Sequence, residues 1–172
     1  LIKALVADPD VEFEEPNYIY HRQATTNDPL LEQMWHLEQV NASTAWDTST
    51  GAPDIVIAVI DSGTVAQHPD FLGQTTEGYD FVSATDNYDG DGIDADPEDA
   101  TPLFDDCAQD DAFYHGAHTA GTVGATGNNA EGIAGLSYTS TLMHLRALDG
   151  DCGGSTYDIF QSLLYAIGAD ND

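Results

Sequence analysis

Residues 55–63, Ile55-Val56-Ile57-Ala58-Val59-Ile60-Asp61-Ser62-Gly63, decide the fold. An unbroken, largely β-branched run of this kind suits a central parallel strand covered on both faces. Gly51-Ala52-Pro53 turns the chain into it and Asp61-Ser62-Gly63 stops it. An Asp directly after such a run is partly buried and needs a partner. It also stands at the carboxyl edge of its strand, where open α/β sheets gather their ligand-binding loops. Taken alone, Asp61 reads sooner as a turn or helix-capping residue.

Working outward toward the C-terminus, Tyr79 to Val82 reads as a strand and His115 to Ala125, rich in Gly and Ala, as a tightly packed helix. Thr141 to Leu148 reads as a further strand. Tyr157 to Ala169 fits an amphipathic helix, with Ile159, Phe160, Leu163, Leu164 and Ile167 at helical spacing. Strand, helix, strand, helix in order predicts an α/β fold with a parallel sheet and right-handed crossovers. Toward the N-terminus, Leu31 to Trp46 carries helical patches. Leu1 to Ala7 reads as helix stopped by Asp8-Pro9-Asp10, and Val11 to Glu14 as a short strand. The polar stretch His21 to Pro29 is a linker between this small leading piece and the main body. No internal repeat is visible.

Thirty-one acidic residues against three basic ones give a formal net charge of −28. A polyanion repels phosphate backbones, so nucleic acid is excluded as a partner. No stretch reaches the length of a bilayer span, so no membrane role is expected. A hydrophobic fraction of 41% argues against wholesale disorder. The acidic residues crowd between Asp86 and Asp111 with Gly90, Gly92 and two prolines, which marks a loop. Cys107 and Cys152 read either as a disulfide or as two separate thiols.

The segment His115-Gly116-Ala117-His118 invites a metal reading. A metalloprotease helix places its histidines four apart with Glu after the first, whereas here they are three apart with Gly116 and Ala117 between. Zinc hydrolysis is therefore not expected.

Two segments taken together carry a sharper signal. I-D-S-G at 60–63 followed by H-P-D-F at 68–71, and later H-G-A-H-T-A-G-T at 115–122, resemble the subtilisin-like serine proteases over nearly the whole chain. The resemblance implies a subtilisin-like three-layer α/β fold with a central parallel sheet, truncated on its C-terminal side. It implies a secreted serine endopeptidase acting on protein or peptide substrates. Asp61 would be the orienting acid, His115 the general base, and His118 a structural neighbour. D-P-D-V-E-F-E-E-P-N-Y at 8–18 resembles the end of the family's inhibitory propeptide. This makes residues 1–22 a remnant of the protein's own propeptide and 23–172 the start of the catalytic domain, with cleavage between Tyr20 and Asp28. N-D-P-L-L-E-Q-M-W-H-L at 27–37 resembles the mature start. L-D-G-D-C-G-G-S-T at 148–156 resembles the substrate-facing edge, where Gly153 and Gly154 let a peptide pair as an added strand. A monomer is expected.

The resemblance also implies structural calcium, which takes carboxylates and carbonyls. One site would combine Asp28, Asp70 and the loop at 127–133, with Asn129 offering its side chain and Glu131 and Ile133 their carbonyls. A second would use Asp89, Asp91, Asp94 and Asp96 of the acidic loop, which lacks the Glu that closes an EF-hand and reads equally as a solvated loop. Related members carry cysteines at matching places, which implies a Cys107–Cys152 disulfide.

The sequence departs from the family in modest ways at Ala117 and Thr119, where Thr and Val are usual. More consequentially, Ser43, Ser49, Ser62, Ser83, Ser137, Ser140, Ser155 and Ser162 all lack the G-T-S-x-A setting of the family nucleophile. The oxyanion-hole Asn is expected beyond Asp172. Without a nucleophile no acyl-enzyme forms, so the 172-residue chain alone is expected to be inactive. The rival readings are a non-catalytic, acidic calcium-binding module and a protease inhibitor built on the propeptide-like start.

Overall fold

The apolar run becomes strand β1, Val56–Asp61, in a computed structural model that describes residues 24–83, 92–99, 114–149 and 153–169. The expected segments at 79–82 and 141–148 form the short strand β2, Tyr79–Asp80, and β3, Thr141–Arg146. Among the described residues both strand pairings are parallel, in the order β1-β3-β2. The α/β parallel-sheet expectation is therefore met. Among the described residues β3 pairs on both sides and β1 on one. Ile55 and Val56 are about half exposed, at 55% and 50%. Apolar composition marks a strand for burial, but neighbouring elements decide which residues are covered.

Among the described residues four α-helices accompany the sheet: α1, Trp35–Gln39; α2, Ala42–Trp46; α3, His115–Gly124; and α4, Thr156–Ala166. Single 3₁₀ turns form at Leu31–Gln33 and Pro69–Phe71. One core cluster joins Val59 of β1 and Leu142 of β3 to Phe71 and to Ala120 of α3. A second gathers Met34, Leu37, Ala42 and Trp46 around α1 and α2. The Trp46 indole N–H donates to Leu136 O at 2.8 Å, which ties that cluster to the chain entering β3.

Helix α3 approaches the sheet closely because Gly116, Ala120, Gly121 and Gly124 form its buried face. A Cβ at Gly124 would lie 2.8 Å from the Leu142 side chain, so the small residue sets the interlayer distance. Helix α4 differs from its expected orientation. Phe160, Leu163 and Ile167 are exposed, while Asp158 and Ser162 are buried. The polar groups are satisfied: Asp158 Oδ1 accepts the Ser83 hydroxyl at 2.8 Å, and the Ser162 hydroxyl donates to Ile159 O at 2.8 Å. Tyr165 packs on Tyr79 and Phe81. Hydrogen-bonded small polar groups therefore occupy the covered face, a choice that apolar periodicity does not encode.

The parallel register places Asp61 opposite Arg146, and Asp80 opposite the same Arg146. Three charged residues thus line up across the carboxyl edge of the sheet. The Arg146 guanidinium pairs with Asp80, both fully buried, and Asp80 Oδ1 also accepts the Val82 N–H at 2.7 Å. Asp61 is left to face another partner.

Candidate active site

Asp61 is the last residue of β1, 7% exposed, and His115 is the first residue of α3. His115 Nδ1 lies 2.7 Å from Asp61 Oδ1, and the same oxygen accepts the Ser62 backbone N–H at 2.8 Å. The Asp61 carbonyl meanwhile accepts from Ala147 N–H at 2.9 Å and Leu148 N–H at 3.2 Å, just past the end of β3. Strand end, helix start and the exit from β3 are thereby locked together.

This closeness depends on local backbone chemistry. Tyr114 enters α3 in the left-handed region at φ 55°, and Gly63 turns the chain away from Asp61 at φ 112°. A Cβ at Gly116 would fall on Gly63 O, so only glycine lets the first turn of α3 sit over the Asp61 turn. The Gly116 N–H donates to Ser62 Oγ at 3.1 Å, and the Ser62 hydroxyl donates to Asp99 Oδ2 at 3.0 Å.

The geometry supports proton transfer at the imidazole. A carboxylate on Nδ1 holds the proton there, so the lone pair of the neutral ring is on Nε2. The His115 side chain is 57% exposed, whereas that of Asp61 is only 10% exposed. A largely exposed imidazole hydrogen-bonded through Nδ1 to a sheltered carboxylate can accept a proton at Nε2.

His118 does not join the pair. It lines a cavity of about 390 Å³ with Val65, His68, Phe71, Tyr114 and Ile133. Gly153 and Gly154 are exposed, and Gly153 O accepts the Asp149 N–H at 2.7 Å. A Cβ at Gly154 would fall on Ala147 O, so this segment lies against the exit from β3, beside the Asp61 turn.

The structure brings together all five residues expected at the first calcium site. Asp28, 5% exposed, accepts the N–H groups of Asn128 and Asn129 at 3.0 and 3.3 Å. Asp70, 2% exposed, accepts from Asn129 Nδ2 at 3.1 Å and from Ile133 N–H at 3.0 Å. Glu131 N–H donates to Asn129 Oδ1 at 2.9 Å. Among the described residues neither Asp28 nor Asp70 has an ion-pair partner, although both carboxylates are buried on one loop. Buried anions of this kind fit a hard cation. Among the described residues, no group of three or more His, Cys, Asp or Glu side chains could hold a metal ion, so backbone carbonyls would have to complete the shell.

At the second expected site the described residues do not converge. Asp94 Oδ1 accepts the Asp96 N–H and Asp96 Oδ1 the Glu98 N–H, at 2.6 and 3.1 Å, each closing a local turn. Asp89, Asp91, the Cys107–Cys152 pairing and the propeptide-like residues 1–22 lie outside the described residues.

Comparison with known proteins settles the family. Residues 52–172 match the model described as the subtilase family, Peptidase S8. The chain belongs to the subtilase family. It is 37% identical over 179 residues to an extracellular protease of Xanthomonas campestris pv. campestris, covering 98% of this chain and 30% of that protein. It is 38% identical over 173 residues to halolysin of Haloferax mediterranei, again covering 98% and 30%. Among solved structures, a protease from Pseudoalteromonas arctica superposes with a TM-score of 0.74 at 36% identity, covering 86% of this chain and 45% of that one. The chain spans about a third of the length of these curated subtilases. No helix among the described residues is long and apolar enough to cross a membrane.

Sequence reasoning missed three features of this subtilase site. Ser62 was visible only as a turn residue, and Asp99 only as one of many acids. The Asp80–Arg146 pair had a weak signal: Arg146 is the only Lys or Arg after residue 22, and it ends a strand that also carries Leu142, Met143 and Leu145. A lone cation in a polyanion should be paired.

Proposed function

We propose that this chain is part of a secreted serine endopeptidase that hydrolyses protein or peptide substrates by acyl transfer. The observation that carries the reading is the His115 Nδ1 to Asp61 Oδ1 contact at 2.7 Å, at the carboxyl edge of a parallel sheet. His115 Nε2 takes the proton of a Ser hydroxyl as it attacks the scissile carbonyl and returns it to the leaving amine. Asp61 holds the ring in the required tautomer and stabilises the imidazolium formed during attack. In this reading a Ser nucleophile and oxyanion donors from outside the 172 residues complete the site, and these residues alone do not turn over substrate. Substrate backbone pairs along Gly153 and Gly154.

The names of the relatives, an extracellular protease and a halolysin among them, support secretion. Residues 1–22 are the end of the protease's own propeptide, cleaved between Tyr20 and Asp28, and the mature enzyme is a monomer. Asp28, Asp70, Asn129 and carbonyls of the 127–133 loop would hold a structural calcium ion, which would compensate the charge of the two buried carboxylates. Hydrolysis of a peptide substrate by the full-length protein, with and without His115→Ala, tests the reading. Unchanged turnover in the variant refutes it.

A further inference from the structure

We propose that Asp99 is a positioning residue for the Asp61–His115 pair and acts through Ser62. The inference rests on the protease reading above. Ser62 makes three directed contacts: its backbone N–H reaches Asp61 Oδ1 at 2.8 Å, its hydroxyl donates to Asp99 Oδ2 at 3.0 Å, and its Oγ accepts the Gly116 N–H at 3.1 Å. A hydroxyl has one proton. Once the Asp99 carboxylate takes it, the Ser62 oxygen must present a lone pair to Gly116, the residue after His115. Helix α3 needs such an acceptor, because Tyr114 at its start makes no side-chain cap hydrogen bond. One serine thereby fixes the acid directly and the base through the first turn of its helix. Asp99 sets the polarity of that contact.

Asp99 is itself held in place. It is 9% exposed, its N–H donates to Thr64 O at 2.8 Å, and Thr64 N–H donates to Pro97 O at 2.9 Å. These bonds form a short parallel bridge at Thr64 and Glu98. A Cβ at Gly63 would meet Pro97 O at 2.7 Å and Asp99 N at 3.0 Å, so glycine admits the bridge against the chain leaving Asp61. The segment carrying the carboxylate is thus bridged to the chain just after Asp61. A charge-assisted hydrogen bond in that setting is stronger than a neutral one.

The test is steady-state hydrolysis of a peptide by the full-length protease in Ser62→Ala, Asp99→Asn, the double variant and Ser62→Thr, with His115→Ala as control. Each single variant should lower kcat about tenfold with KM changed less than about twofold, the signature of misorientation. The double variant should fall within about twofold of the worse single one, because the proposed effect of Asp99 on the pair passes through the Ser62 hydroxyl. Ser62→Thr, which keeps the hydroxyl, should recover kcat to within about threefold of wild type. Losses that multiply to about a hundredfold in the double variant overturn the proposal, as does a loss confined to KM. If Asp99→Asn does not fold, Ser62→Thr decides alone: activity no better than Ser62→Ala overturns it. Retained turnover in His115→Ala would instead refute the protease reading beneath it.

Discussion

Asp61 and His115, 54 residues apart in the chain, meet with Oδ1 and Nδ1 2.7 Å apart at the carboxyl edge of β1. The approach is not an accident of two surface side chains. Asp61 is sheltered, its oxygen is pinned by the Ser62 N–H, and its carbonyl is pinned by the exit from β3. A carboxylate so fixed can orient a ring, whereas a mobile one would lose that geometry to water.

Gly116→Ala should separate the pair. The added methyl falls on Gly63 O, which belongs to backbone and cannot swing aside. The expected outcome is a loss of about 1–3 kcal/mol in stability together with a drop in peptidase activity. Thermal unfolding and peptide hydrolysis of the same preparation check both.

Breaking the Asp80–Arg146 pair from one side should be more damaging than losing any surface charge. Both side chains are fully buried, so Asp80→Ala takes a buried carboxylate partner away from the guanidinium. A destabilisation of about 3–5 kcal/mol is expected by chemical denaturation. A loss below about 1 kcal/mol would mean that the pair behaves as an exposed one.

His144 makes stability fall on mild acidification. It sits on β3 with Phe71 against its ring, 5.2 Å between centroids, and with Thr64 Oγ1 3.5 Å from Nε2. Burial lowers its pKa from 6.5 to about 4. Between those values the unfolded chain binds a proton and the folded one does not, so stability falls as pH drops from 6.5 toward 4 and is fully present above 6.5. The loss is on the order of 3 kcal/mol, and His144→Gln should remove that part of the slope in denaturation curves recorded across the window.

Calcium should raise the melting temperature of the full-length protein, and a chelator should lower it. Asp70→Ala should abolish most of this response, because the carboxylate faces Asn129 and Ile133 at the centre of the loop. A calcium-dependent shift that survives in both Asp28→Ala and Asp70→Ala would place the ion elsewhere.

Much of this arrangement was legible before any coordinates. The unbroken run at 55–60 specified a strand in a parallel sheet, and the Gly/Ala content of 115–125 specified a helix able to pack closely. Both readings follow from local sterics and period. The order of the strands was not legible, because it depends on elements far apart in sequence. Nor was the covered face of α4: Asp158 and Ser162 are buried there because Ser83 and the helix backbone satisfy them. Asp99 was hidden by its composition, one acid among many in a loop. What distinguishes it is the bridge to Thr64 and the hydroxyl of Ser62, which only the fold brings near.

The most direct test of the central claim is peptide hydrolysis by the full-length protein compared with its His115→Ala variant, with folding verified in both. The account predicts that kcat falls by at least about 10⁴-fold while the variant keeps its fold and its calcium-dependent stability. A folded His115→Ala protein that turns over substrate at the wild-type rate would contradict it.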